Sequence, residues 1–76
     1  MNNTRQFIAQ QGSNSTVKVF EASTGQLYRI ITVGGNIVSQ PYIAGHILTV
    51  TTETAGKKQV KTFSLPYGSL KTTIPI

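Results

Sequence analysis

Residues 17–33 read Val-Lys-Val-Phe-Glu-Ala-Ser-Thr-Gly-Gln-Leu-Tyr-Arg-Ile-Ile-Thr-Val, and residues 60–76 read Val-Lys-Thr-Phe-Ser-Leu-Pro-Tyr-Gly-Ser-Leu-Lys-Thr-Thr-Ile-Pro-Ile. An offset of 43 lays Val17 on Val60, Lys18 on Lys61, Phe20 on Phe63, Gly25 on Gly68 and Leu27 on Leu70. Ile31 and Val33 then fall on Ile74 and Ile76. Each copy is an alternating apolar run, a short link ending near a glycine, and a second alternating run. That order is a hairpin signature, with the glycine free to take the positive φ of the turn.

The rest of the chain extends the same pattern. Thr16–Glu21 alternates, with Val17 and Val19 on one face and Lys18 and Phe20 on the other. Gly34-Gly35-Asn36 is a break, and residues 37–44 form a third extended run interrupted by Pro41. Proline has no ladder donor, so that strand is an edge or carries a bulge. Ala44-Gly45-His46 turns the chain into residues 47–52. Residues 53–57 are a polar hairpin tip, residues 58–64 the next strand and residues 70–74 the last, with Pro66-Tyr67-Gly68 as the final turn. No stretch keeps a 3.6-residue period, so no helix is expected.

Composition agrees. Eight Ile, six Val and eleven Thr stand against four Leu and four Ala. β-branched side chains are stiff at χ1 and suit a pleated surface. The expected fold is all-β, about six short antiparallel strands in an up-and-down sheet or a small barrel or sandwich. Residues 1–16 read as a flexible polar arm, with Gly12-Ser13-Asn14-Ser15 as its joint and residues 5–9 able to pair as a strand, and residues 17–76 as a single β domain. A chain of 76 residues without cysteine has a small core and no disulfide or thiolate staple, which makes oligomerisation the cheapest further source of burial. Residues 1–16 contain no apolar signal-peptide core, and no apolar run is long enough for a membrane-spanning helix, so no membrane partner is expected.

A period near 43 residues is that of four-stranded propeller blades. Ala22-Ser23-Thr24-Gly25-Gln26-Leu27 resembles the Ala-x-Thr-Gly-x-Leu turn of quinoprotein-type propeller blades. Residues 39–50 are similar to the inner-strand hairpin that follows it there. The tryptophan usual after Gly-x-Leu is absent, with Tyr28 and Lys71 in its place, and no cofactor carries over. One and a half blade-like repeats cannot close a propeller, so the repeat implies an unfinished unit that stops as a small sheet or joins copies of itself.

The whole chain also resembles short β-rich proteins encoded among the structural genes of tailed bacteriophages. The Gln/Asn-rich start and the paired Val-Lys-x-Phe…Gly-x-Leu motifs carry this likeness. It implies a virion component assembled in the host cytoplasm: a capsid decoration protein, or a small head–tail or tail subunit. Its partners would be copies of itself or other virion proteins. The candidate assembly contacts are Arg5, Phe7 and Ile8 in the arm, reaching to a neighbouring subunit, together with Tyr42 and the turn residue Tyr67.

Catalysis finds little to work with. The chain has one histidine, two glutamates, no aspartate and no cysteine. His46 lies in a turn, Glu21 and Glu53 lie at strand ends, and no pair has ligand spacing, so neither an enzyme nor a metal site is expected. The net charge of +5 leaves a second reading, a basic small β-barrel that binds nucleic acid. Lys18, Lys57, Lys58, Lys61 and Lys71 would contact the polyanion, Lys18 and Lys61 sharing their faces with Phe20 and Phe63. Charged residues are only 12% of the chain, so the net value reflects scarce acids as much as abundant bases.

Overall fold

The computed structural model describes residues 6–76, and all its regular structure is β. Eight strands run in chain order: β1 Phe7–Gln11, β2 Thr16–Glu21, β3 Leu27–Thr32, β4 Asn36–Ile37, β5 Tyr42–Ala44, β6 Ile47–Thr54, β7 Lys57–Ser64 and β8 Ser69–Pro75. Strands β1-β2-β3 form one antiparallel sheet. Strands β4-β6-β7-β8 form a second, with β5 also on β6. Neither sheet closes on itself, which removes the barrel from the expected alternatives.

Two of the eight strands go beyond the expected six. The first is β1. The flexible arm expected over residues 1–16 is, from Phe7 onward, a strand of this chain's own sheet, paired with β2 from Phe7↔Glu21 to Gln11↔Val17. The second comes from the run 37–44, which divides into β4 and β5. Both pieces lie along the same edge of β6. Between them the ladder is carried by Val38 N–H donating to the Thr51 carbonyl and by Ser39 Oγ accepting from Thr51 N–H. The interruption ends at Pro41, where the missing amide hydrogen forbids a ladder bond.

The two matched hairpins repeat in register. Phe20 pairs with Leu27, Val19 with Arg29, Lys18 with Ile30 and Val17 with Ile31. Their counterparts Phe63–Leu70, Thr62–Thr72, Lys61–Thr73 and Val60–Ile74 pair identically. The register slips at the same step in both, between Val19 and Phe20 and between Thr62 and Phe63, leaving Tyr28 and Lys71 as the extra residues of two equivalent bulges. The turns match too. Gly25 N–H donates to the Glu21 carbonyl and Gly68 N–H to the Ser64 carbonyl, with φ of 74° and 79°.

The repeat also takes in the preceding strand. Ile8 pairs with Phe20 as Leu48 pairs with Phe63, and Ala9 pairs with Val19 as Thr49 pairs with Thr62. Thus β1-β2-β3 and β6-β7-β8 are two three-stranded meanders of one register, joined by β4 and β5.

The core lies between them. Phe7, Val17, Val19, Ile31 and Val33 come from the first meander, and Leu48, Val50, Phe63 and Leu65 from the second. Tyr28 packs on Phe7 with ring centroids 5.2 Å apart. Polar ties close the rim. Lys61 Nζ donates to the Val33 and Gly34 carbonyls, and Arg29 Nε donates to the Pro66 carbonyl. The Cα radius of gyration is 12.4 Å, against roughly 11 Å for a compact chain of this length. The extents of 45 × 21 × 17 Å describe an elongated body.

Candidate functional site

Alternation fixes which side of each meander meets the other. In the first, Phe7, Ala9, Val17, Val19 and Ile31 point inward. In the second, the inward set is Leu48, Val50, Thr52 and Phe63. These are not equivalent sides. Phe7, Val17 and Ile31 correspond in register to Ile47, Val60 and Ile74, which lie on the outer side of the second meander. Leu48 and Phe63 correspond to Ile8 and Phe20, which lie on the outer side of the first. Two copies of one unit therefore meet through opposite faces.

Each outer face is consequently apolar without a cover. On the first sheet, Ile8, Leu27 and Ile30 are exposed around half-buried Phe20, with Lys18 and Gln10 among them. On the second, Ile74 and Ile76 are exposed beside half-buried Ile47 and Val60. A row of Tyr42, Thr49, Thr62 and Thr72 crosses the same face. Thr62 and Thr72 hydroxyls are 2.6 Å apart. Every residue of β8 is exposed, so half of the second hairpin buries little within the chain. The edges are less inviting than the faces. The edge strands β3 and β8 carry the bulge that spoils a continuous ladder, and β8 adds Lys71 and Pro75. The opposite edges, at β1, β4 and β5, are strands of only 5, 2 and 3 residues.

The expected contact residues divide accordingly. Ile8 and Tyr42 lie on the two outer faces, and Tyr67 stands 75% exposed at the tip of the β7–β8 turn. Phe7 does not reach for a neighbour, because it belongs to this chain's own core against Tyr28 and His46. Arg5 lies outside the described residues. The lysines do not gather on one surface. Lys18 is on the outer face of the first sheet, Lys58 on that of the second, and Lys57 on the opposite side of β7. Lys71 occupies a bulge, and Lys61 spends its ammonium on two backbone carbonyls.

Other chemistry is sparse. Among the described residues no three His, Asp or Glu side chains come together as a metal site, and no helix is long and apolar enough to cross a membrane. An open hollow of about 350 Å³ is lined by Gly56, Lys57, Lys58, Gln59, Pro75 and Ile76. Sequence reasoning missed Ile30, Leu27, Ile74 and Ile76 as surface residues. Alternation groups residues by face but does not say which face is covered. At Leu27 the grouping itself fails, because the bulge at Tyr28 moves Leu27 off the face that alternation shares among Leu27, Arg29, Ile31 and Val33.

No family model matches the chain, and neither a curated protein nor a solved structure matches it.

Proposed function

We propose that the chain is a non-enzymatic structural subunit that acts by assembly. In keeping with the sequence likeness, the assembly is a bacteriophage particle, with the subunit a capsid decoration, head–tail or tail component. One observation carries this reading: both outer sheet faces display large aliphatic side chains, among them Ile8, Ile74 and Ile76, whose register equivalents Leu48, Ile31 and Val33 the same chain buries. Monomeric proteins seldom expose such surface contiguously, and where they do it serves as an interface. The bulged edges direct contacts to faces rather than to added strands. The nucleic-acid reading takes second place, because its five lysines are dispersed and Lys61 is engaged within the fold.

Size-exclusion chromatography with light scattering tests the proposal. The expected species is a multiple of the 8.2 kDa chain mass that persists as salt is raised, because apolar burial is not screened. A monomer at every concentration overturns the reading. Binding to a polyanion that falls steeply with salt, with no self-association, points to nucleic acid instead.

A further inference from the structure

The duplication supplies a template for how copies meet. Within one chain, the Phe7–Val17–Ile31 side of the first meander packs against the Leu48–Phe63 side of the second. Each meander has one face of either kind, and the chain uses one of each. The faces left over are again one of each: Ile47, Val60, Ile74 and Ile76 on the second meander, and Ile8, Phe20, Leu27 and Ile30 on the first. We infer that a second copy of this chain seats its first meander on the outer face of the second meander, repeating the intrachain packing from molecule to molecule. This rests on the assembly reading above and names its partner and its geometry.

Two details of the intrachain contact carry over. Gly68 lies against Ile31, an added Cβ there standing 3.2 Å from the Ile31 side chain. The equivalents are Gly25 and Ile74. Gly25 has open space within 4 Å, and Ile74 is 55% exposed, so both halves of the repeated contact are vacant in the single chain. Lys61 Nζ, likewise, donates to the carbonyl of Val33. The equivalents are Lys18 and Ile76. Lys18 is exposed on the outer face of the first meander, and Ile76 follows β8 as Val33 follows β3. In the assembly, Ile74 of one copy covers Gly25 of the next, and Lys18 donates to the Ile76 carbonyl of its neighbour.

Such a contact joins two different patches, so it is heterologous. It closes into a ring when its rotation divides a full turn and otherwise grows as a stack. An isologous dimer, with like face on like face, is the competing arrangement, and complementation separates the two. Ile74→Lys blocks the second-meander face, and Ile8→Lys blocks the first-meander face, Ile8 being the register equivalent of buried Leu48. Both positions are exposed in the monomer, so each variant folds; circular dichroism checks this, and Ile76→Lys and Lys18→Glu replace any variant that fails. A lysine at either junction weakens association about a hundredfold or more.

The expected result is that wild type forms multimers, each variant alone is monomeric, and an equimolar mixture gives a dimer that grows no further. That dimer forms because one intact face of each kind remains in the mixture. If wild type assembles but one variant still dimerises alone, or mixing restores nothing, the head-to-tail contact is wrong while assembly stands. If wild type is monomeric throughout, both fall together.

Discussion

Lys61 Nζ donates to the Val33 carbonyl at 2.9 Å and to that of Gly34 at 2.8 Å, tying the middle of the second sheet to the end of the first. The ammonium satisfies two carbonyls at the break after β3, where Gly34 turns the chain at φ 74°. Charge-assisted bonds of this kind contribute about 1.5–3 kcal/mol, and the half-buried setting places this pair near the lower figure. Lys61→Met is therefore expected to lower unfolding free energy by about 1.5 kcal/mol in urea titration. Lys18→Met, the register equivalent on an open face, should change monomer stability by less than about 0.5 kcal/mol. Equal losses from the two substitutions would contradict this role for Lys61.

Thr52 offers the opposite prediction. It is 1% exposed on the inner side of β6, and its hydroxyl has no hydrogen-bond partner among the described residues. Valine has the same shape and brings no polar atom to bury. Thr52→Val should raise stability by about 1 kcal/mol, which for a chain this size moves the melting midpoint up by roughly 4–8 °C. A lower midpoint would show that the hydroxyl is in fact satisfied.

The two turn glycines separate backbone strain from packing. Gly25 and Gly68 share a positive φ, so alanine at either adds a left-handed penalty of about 1–2 kcal/mol. Only at Gly68 does the new methyl meet neighbours, at 3.0 Å from Arg29 Cδ and 3.2 Å from Ile31 Cγ1. Arg29 is held by its bond to the Pro66 carbonyl and cannot simply swing aside. Gly68→Ala should cost about 1 kcal/mol more than Gly25→Ala by thermal unfolding of the monomer.

Turn chemistry was the most legible part of the sequence. Gly25 and Gly68 mark hairpins because a positive φ penalises other residues, and Pro41 marks an edge because it lacks a donor. The matched Phe and Leu pairs revealed the hairpin repeat for the same local reasons. Residues 47–52 read as a strand, but that a third strand belongs to each repeat was hidden. Phe7, Ile8 and Ala9 share no identity with Ile47, Leu48 and Thr49, and they lie 40 rather than 43 residues away because the first loop closes differently. Choice of face was illegible in principle. Ile31 and Ile74 are the same residue at the same register, and only the placement of one sheet on the other makes the first buried and the second exposed.

That pair provides the most direct comparison. Ile31 is 4% exposed beside Val17 and Val33, so Ile31→Ala removes buried methylenes and leaves a cavity. The expected loss is about 2–5 kcal/mol of monomer stability, enough to unfold much of a domain this small. Ile74 is 55% exposed, and Ile74→Ala in dilute monomer should cost less than about 1 kcal/mol. Its effect belongs to association, where the same truncation opens the same kind of cavity between copies. Dilution series read by light scattering should therefore show Ile74→Ala weakening assembly at least about tenfold while its melting midpoint as a monomer barely moves. If Ile74→Ala lowers the monomer midpoint as far as Ile31→Ala does and leaves assembly unchanged, the outer face of β8 is packed within the chain, and the equivalence between the two contacts fails.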